Sequence, residues 1–94
     1  MEVTVHLPGV LRTEAQGQSS VRVPADGDST LGSVLDRIGE RWPLLERRIR
    51  DERGELRRYV NVYIDGEECR WLAGVHTAVN ERSEILVVPS VAGG

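Results

Sequence analysis

The residues with the clearest chemical potential in this 94-residue chain are the last two, Gly93 and Gly94. Neither has a side chain, so only backbone would have to fit a narrow catalytic channel of another protein, and glycine bends freely enough to reach a catalyst there. A free carboxylate is a poor electrophile until it acquires a good leaving group. We therefore expect a domain over residues 1–89 and a tail over residues 90–94 whose final carboxyl group, on Gly94, is the reagent.

The residues before these glycines favour a tail that leaves the domain. Pro89 lacks a backbone N–H and cannot continue the hydrogen-bond ladder of a sheet, so we expect the last strand to stop at Val88. Five extended residues beyond it reach at most about 17 Å. Within them Val91 and Ala92 are modest in size and lead to the two glycines.

Other residues that could do chemistry are few. The single cysteine, Cys69, excludes an internal disulfide and cysteine-based zinc or iron–sulfur sites, and we expect a packed, inert thiol. His6 is predicted on the polar face of a strand and His76 in a loop, and neither has a serine or cysteine at the spacing of a catalytic dyad. Glu67 and Glu68 follow a turn and are predicted to be solvated. We expect no catalytic residues of its own, no metal and no bound cofactor.

Composition limits the class of protein further. With 39% apolar and 29% charged residues, the chain is typical of one globular domain. The net charge of −3 gives no reason to expect nucleic acid as a partner. No apolar run approaches a membrane span, and the start "MEVTVHLPGV" lacks the features of a signal peptide. We therefore expect a cytoplasmic protein that binds no membrane and is a monomer when free.

All twelve basic residues are arginine, and lysine is absent. Coding bias in a GC-rich genome would produce this composition. A second interpretation is that a protein with an activated C-terminus gains from having no lysine amines to attack it, because a guanidinium is effectively never deprotonated. The two interpretations are compatible.

The first third of the chain predicts two strands. Residues 2–7 alternate between apolar and polar, with Val3, Val5 and Leu7 on one side, which is typical of a half-buried strand. The segment "RTEAQGQSS" is predicted to be a polar loop. Val21 and Val23 alternate again before a proline, so a second strand is expected to form a hairpin with the first.

An amphipathic helix is predicted next, with Thr30 as its N-cap. Its apolar stripe has the helical spacing and comprises Leu31, Val34, Leu35, Ile38 and Trp42. Gly32 and Gly39 are unfavourable inside a helix, which predicts close packing of the helix on a sheet at one of them.

Pro43 ends that helix and suits the first position of a second, short one. Its buried side is predicted to comprise Leu44, Leu45 and Ile49. The charged segment "RDERGELRR" that follows is predicted to be a solvated loop.

The segment "YVNVYIDGEECRW" predicts a hairpin around the turn dipeptide Asp65-Gly66. Inward-facing residues of its first strand are expected to be Val60, Val62 and Ile64. The chain then returns through Cys69 and Trp71 and reaches a last strand over residues 84–88.

One main helix against a mixed sheet makes the predicted fold class α+β, with two layers. The last strand, "ILVV", is apolar on both faces, as expected of a central strand, yet one helix covers one face only. Either Ile85 and Val87 or Leu86 and Val88 must then point outward, or other segments must cover the second face. Candidates for such a cover are Trp42, Trp71 and residues 44–49. We predict an exposed partner surface comprising Tyr63, Leu86 and Val88.

The whole chain resembles the ubiquitin-like sulfur carrier family of the MoaD, ThiS and CysO type. The segments that carry the resemblance are "TLGSVLDRI", "RRYVNVYIDGEE" and the terminal "VAGG". Within the family, the sequence most resembles the carrier of actinobacterial cysteine synthesis. The turn "NERSE" departs from the Gly-containing acidic turn that the family often has. The resemblance implies a β-grasp fold, with four to five strands on one main helix and a flexible C-terminal tail.

The resemblance also implies a function. An E1-like activating enzyme would use ATP to adenylate the Gly94 carboxylate, and sulfur would then replace AMP to give a thiocarboxylate. A sulfur-accepting synthase of cysteine, cofactor or secondary-metabolite synthesis would take this sulfur. No phosphate-binding Gly-rich loop occurs, so the partner would bind the ATP. Two alternatives stay open, namely the small subunit of a molybdopterin-synthase-like enzyme and a ubiquitin-like protein modifier.

Overall fold

The computed structural model describes residues 2–89. Its strands are β1 Glu2–His6, β2 Ser20–Pro24, β3 Val60–Ile64, β4 Glu67–Glu68 and β5 Glu84–Pro89. Its helices are α1 Leu31–Arg41 and α2 Pro43–Ile49, and 3₁₀ turns cover Gly9–Ala15, Cys69–Trp71 and Gly74–His76. Our predictions on the tail therefore lie outside the described residues.

The strands form one mixed sheet in the order β2-β1-β5-β3-β4. β1 pairs antiparallel with β2 and parallel with β5, while β3 is antiparallel to both β5 and β4. The last strand of the chain is therefore the central one, as predicted. The C-terminal ends of the parallel strands β1 and β5 lie at the same end of the sheet, which we call the exit end.

α1 covers one face of the sheet, and its first turn has the predicted cap. The Thr30 Oγ1 accepts a hydrogen bond from the Ser33 N–H at 3.2 Å, and the Ser33 Oγ accepts one from the Thr30 N–H at 2.9 Å. These bonds satisfy donors that a helix start leaves unpaired. The predicted apolar stripe is buried throughout, and it packs with the inward-facing residues of the strands in one core.

The polar loop predicted over residues 12–20 is wrong in its first part. Residues Gly9–Ala15 form a 3₁₀ turn whose Leu11 and Ala15 are buried. Two buried residues in a turn of seven are too few to show a period, so this turn is stabilised by the core that it closes and not by a local pattern.

The buried side of α2 is only partly as predicted. Leu45 and Ile49 are fully buried, but Leu44 is 71% exposed. Residues four apart share one helix face, whereas a neighbour in sequence lies about 100° round the axis.

The two glycines of α1 do approach other groups closely, but not the sheet. A Cβ at Gly32 would lie 3.2 Å from the Val75 carbonyl oxygen, and one at Gly39 would lie 3.2 Å from the Glu46 Cγ. Gly32 therefore admits the 3₁₀ turn at residues 74–76, and Gly39 admits α2. The prediction of close helix-on-sheet packing is wrong for both.

Candidate docking face and tail exit

β5 separates its four central apolar side chains between two surfaces. Ile85 and Val87 are fully buried beneath α1, whereas Leu86 is 44% exposed and Val88 is half-buried. Because successive side chains of a strand point to opposite faces, the uncovered face of the sheet holds Leu86 and Val88. This decides between the two alternatives that the sequence left open.

The strand register places two more side chains beside Leu86. Tyr63 of β3 lies opposite Leu86 on one side, and His6 of β1 lies opposite it on the other. Both are half-buried. Val88 is opposite Asn61, one outward-facing pair further along. The predicted surface of Tyr63, Leu86 and Val88 is therefore brought together on the adjacent strands β3 and β5. With His6 of β1, we call this surface the docking face.

A shallow cavity of about 570 Å³ opens on the docking face, and its rim is acidic. The Glu84 and Asp65 side chains line it together with Tyr63 and Leu86. The Asp65 Oδ1 accepts a hydrogen bond from the Glu84 N–H at 2.9 Å, and the Glu84 Oε1 lies 3.8 Å from the His6 Nε2. An apolar floor with a carboxylate rim suits a partner that presents an apolar side chain and a cation.

None of the segments considered as covers lies over Leu86. Trp42 is 8% exposed and belongs to the core beneath the sheet, as do Leu45 and Ile49. Trp71 is instead 85% exposed.

Cys69 is a packed thiol, as predicted. It is fully buried, and burial raises its pKa, with the nearby Glu68 charge acting in the same direction. His6 lies on the outward face, as predicted, and the exposed His76 ends a 3₁₀ turn where a loop was expected. Within residues 2–89, no three His, Cys, Asp or Glu side chains come together as a metal site.

Glu68 is not the solvated carboxylate that its sequence context predicts. Its side chain is 15% exposed and accepts hydrogen bonds from the Arg70 N–H and, at 2.8 Å, from the Arg70 Nη1. Burial acts to raise the pKa of Glu68, but these bonds and the Arg70 charge outweigh it, and the pKa is lowered below its ordinary value.

Arg70 is the residue of this region that sequence reasoning missed. Its Nη2 donates to the carbonyl oxygens of Val60 at 2.9 Å and Arg57 at 3.0 Å, and its Nη1 donates to the Asn61 Oδ1 at 3.2 Å. Arg70 thereby holds the start of β3. No local pattern reveals bonds to residues nine to thirteen positions away.

The start of β3 is also where β5 ends. Pro89 is the last residue of β5, and it is paired with Val60. The prediction that the strand stops before the proline is therefore wrong by one residue, since a strand can end on a residue that donates no ladder bond. The remaining predicted site residues lie outside the described residues, and they are Val91, Ala92, Gly93 and Gly94.

A family model matches this architecture together with the chain's last residues. The model is that of the ThiS family, and it matches residues 5–94. The chain belongs to the ThiS family. The sulfur carrier protein CysO of Mycobacterium tuberculosis is 38% identical over 96 residues, which cover 100% of both chains. Small archaeal modifier protein 1 of Haloferax volcanii is 38% identical over 81 residues, which cover 86% of this chain and 88% of that protein.

Solved structures agree with this membership. A chain in the crystal structure of the Amycolatopsis orientalis BexX/CysO complex matches with a TM-score of 0.86 and 32% identity, over 98% of this chain and 99% of that chain. The match confirms the β-grasp fold. The ThiS-family chain is a ubiquitin-like sulfur carrier of the CysO and ThiS type. Within residues 2–89, it has no helix long and apolar enough to cross a membrane.

Proposed function

We propose that this ThiS-family protein carries sulfur as a thiocarboxylate on Gly94. The supporting observation is the family match, which spans residues 5–94 and so includes Gly93 and Gly94. An E1-like enzyme would first join the Gly94 carboxylate to the α-phosphate of ATP and release pyrophosphate. A persulfide sulfur would then attack the acyl carbon and expel AMP, and a thiol would reduce the resulting disulfide to leave the thiocarboxylate.

The fold suits this role because it gives the tail a rigid starting point. β5 is paired with β1 up to Leu86 and with β3 up to Pro89. Five extended residues reach at most about 17 Å from there, so Val91, Ala92 and Gly93 would act as a leader that enters an enzyme channel. Because the sulfur is attached to this leader, it would be positioned in the acceptor's active site and would not have to arrive there by diffusion.

The docking face would bring the enzymes to this starting point. Tyr63, Leu86 and Val88 offer apolar contact on rigid strands, and the partner would supply the ATP site. The complex of a similar CysO chain with BexX shows that a relative binds another protein. We propose two classes of partner, the activating enzyme and a synthase that accepts sulfur into cysteine, a cofactor or a secondary metabolite. We place this ATP-dependent exchange in the cytoplasm.

The test is mass spectrometry of the carrier after incubation with an E1-like enzyme, ATP and a sulfur donor. The expected product is heavier by one oxygen-to-sulfur exchange at the C-terminus. A variant with one residue appended after Gly94 should not react, and proteolytic removal of that residue should restore the product. An unchanged carboxylate in the unmodified protein, or full reaction of the extended variant, would overturn the proposal.

Similarity to the small archaeal modifier protein favours one second candidate, a protein modifier. The same activated Gly94 would then form an isopeptide with a lysine of a target protein. The chain has no lysine of its own, so lysine-linked chains of the modifier could not form. Higher-mass conjugates that disappear when Gly94 is deleted would support this function over sulfur transfer.

A further inference from the structure

The last residues of β5 are paired with a neighbouring strand on one side only. β1 pairs with β5 as far as Leu86, whereas β3 pairs with it as far as Pro89. Within residues 2–89, the segment 87–89 therefore has β3 as its single strand neighbour, and Val88 and Pro89 are only half-buried. Two strands without a third are marginally stable in water. The position of Pro89 thus depends on how firmly the start of β3 is held.

The start of β3 has no strand on its other side. β4 consists of Glu67–Glu68 and pairs only with Tyr63 and Ile64, at the opposite end of β3. In the described part of the chain, residues 60–62 are therefore left without a neighbouring strand on the side of β4. A side chain from the turn after β4, that of Arg70, occupies this place.

Arg70 binds the backbone of the two residues at which β3 begins and of the turn before them. Its Nη2 donates at 2.9 Å to the carbonyl oxygen of Val60, the register partner of Pro89, and at 3.0 Å to that of Arg57. The Val60 N–H donates to the same Arg57 carbonyl at 3.1 Å, so the guanidinium closes the turn that leads into β3. Its Nη1 donates at 3.2 Å to the Asn61 Oδ1. Arg70 therefore fixes the part of β3 that lies opposite the end of β5.

Glu68 holds the guanidinium in this position. Its Oε1 accepts a hydrogen bond from the Arg70 Nη1 at 2.8 Å, and its side chain is 15% exposed against 38% for Arg70. Because Glu68 is largely withdrawn from water, this ion pair is screened less than one between two exposed side chains. A guanidinium has five donors in a fixed planar fork, so one side chain can serve a carboxylate and two carbonyl oxygens together.

We propose that Arg70 is a positioning residue for the delivery of Gly94 to the activating enzyme. This inference rests on the proposed function. Arg70 fixes the start of β3, and β3 fixes Val88 and Pro89, from which the chain continues to Gly94. Release of these two residues would lengthen the leader from five residues to seven.

A longer leader presents Gly94 less often at the mouth of the enzyme's channel. Its effective concentration there falls with about the −3/2 power of length, which gives a loss of about 1.7-fold. The fixed direction in which the leader starts would also be lost, and misplacement of a reacting group lowers the rate further. We expect a combined loss of about threefold in kcat.

The first experiment measures ATP–pyrophosphate exchange by the E1-like enzyme of the source organism, at varied carrier concentration and well below the thermal midpoint of each variant. Arg70→Met removes every donor and keeps most of the side chain's length. It should lower kcat about threefold and leave KM within about twofold of the wild type, because the docking face remains and only delivery is impaired. Lysine is not used as the replacement, because its amine would compete for the activated Gly94.

Thr30→Ala is the control for a loss of stability alone. The hydrogen bond that it removes, from the Ser33 N–H to the Thr30 Oγ1, lies within the first turn of α1. Loss of an N-cap destabilises a domain measurably, so the thermal midpoint should fall, as it should in Arg70→Met. Its kcat and KM should equal those of the wild type, since β3 and β5 keep their contacts.

The second experiment measures amide hydrogen exchange of the free protein by NMR and needs no enzyme. In Arg70→Met, the amides of Asn61 and Val88 should exchange about tenfold faster than in the wild type, because this end of the ladder opens more often. The amides of Val5 and Val21, which are paired in β1 and β2, should keep their rates.

Glu68→Gln keeps the guanidinium and removes the charge that holds it. It should change kcat and the two exchange rates in the same direction as Arg70→Met, by a smaller factor. If Arg70→Met does not fold, Glu68→Gln decides both experiments, and wild-type values in both would overturn the positioning role.

The outcomes separate the two proposals. If the wild-type protein supports exchange and folded Arg70→Met has an unchanged kcat, or if Thr30→Ala lowers kcat equally, the positioning role is overturned and the proposed function stands. A higher KM at unchanged kcat would show that Arg70 contacts the enzyme itself, which also overturns the positioning role. If the wild-type protein supports no exchange and gains no thiocarboxylate, the proposed function fails, and the positioning role fails with it.

Discussion

Ile85 and Leu86 are neighbours on one strand and nearly identical in chemistry, yet the fold uses them in opposite ways. Ile85, like Val87, is fully enclosed by α1 and the core, while Leu86 is 44% exposed beside Tyr63. Burial of an aliphatic side chain contributes about 1.5–3 kcal/mol to folding, and an exposed one contributes little. The difference indicates that the inward face supplies stability and the outward face is available for binding.

The most direct test of this difference between the two faces of β5 is to place the same charge on each face in turn. Val87→Arg should unfold the domain, because an unpaired charge in the core costs more than about 4 kcal/mol. Circular dichroism at 25 °C should show loss of the native spectrum. A cooperative native transition near the wild-type temperature would contradict the assignment of Val87 to the core.

Leu86→Arg and Val88→Arg are the matched changes on the outward face. Both should remain folded, with a thermal midpoint within a few degrees of the wild type, because the new side chain can extend into water. Thiocarboxylate formation should fall about tenfold, through a higher KM, as the apolar docking face is lost. Collapse of the fold, or unimpaired transfer by both variants, would show that this face does not dock a partner.

At the edge of the sheet, Glu68 and Arg70 extend the comparison to polar groups. The pKa of Glu68 is lowered in the folded protein, so its stabilising effect is complete above its ordinary pKa of 4.5 and is lost as pH falls through the folded pKa. Glu68→Gln should therefore cost about 1 kcal/mol at pH 7.

Urea unfolding of the wild type and Glu68→Gln at several pH values checks this sign. The difference in the free energy of unfolding should be constant from pH 7 to about pH 5 and should shrink below about pH 4. Glu67→Gln is the control, since Glu67 is exposed and has no ion pair within residues 2–89. If Glu68→Gln and Glu67→Gln lower the free energy of unfolding equally, the contacts between Glu68 and Arg70 do not stabilise the fold.

Cys69 lies between Glu68 and Arg70 in the sequence. The smallest effect that we expect concerns the reactivity of its thiol. Its thiol is fully buried and burial raises its pKa, so thiolate is scarce in the folded protein at pH 8. Iodoacetamide should label Cys69 at pH 8 only in denaturant. Rapid labelling of the native protein would show that this edge of the sheet opens readily.

Sequence patterns correctly predicted the elements whose structure is determined by residues a few positions apart. The alternation of Val3, Val5 and Leu7 marked a strand, and the helical spacing after Thr30 marked α1 and its cap. The turn Asp65-Gly66 was also recognised, because both residues have positive φ, 50° and 90°, which this dipeptide tolerates well.

Sequence patterns failed where a neighbour in space decides the outcome. The turn Gly9–Ala15 has two buried residues and no period, and Leu44 is exposed because α2 turns its other side to α1. Arg70 acts through bonds to carbonyl oxygens of β3 and the preceding loop, which no spacing in the chain announces.

By itself, the sequence determined the order of strands and helices, the capped start of α1 and the glycine ending, because each depends on residues a few positions apart. Only the tertiary structure decided that Leu86 and Val88 point outward and that Tyr59 lies at the end of the sheet where β5 finishes. The physical reason is that a run of four apolar residues places apolar side chains on both faces of a strand, so the run itself does not show which face is buried. The face that becomes core is chosen by the side on which α1 packs.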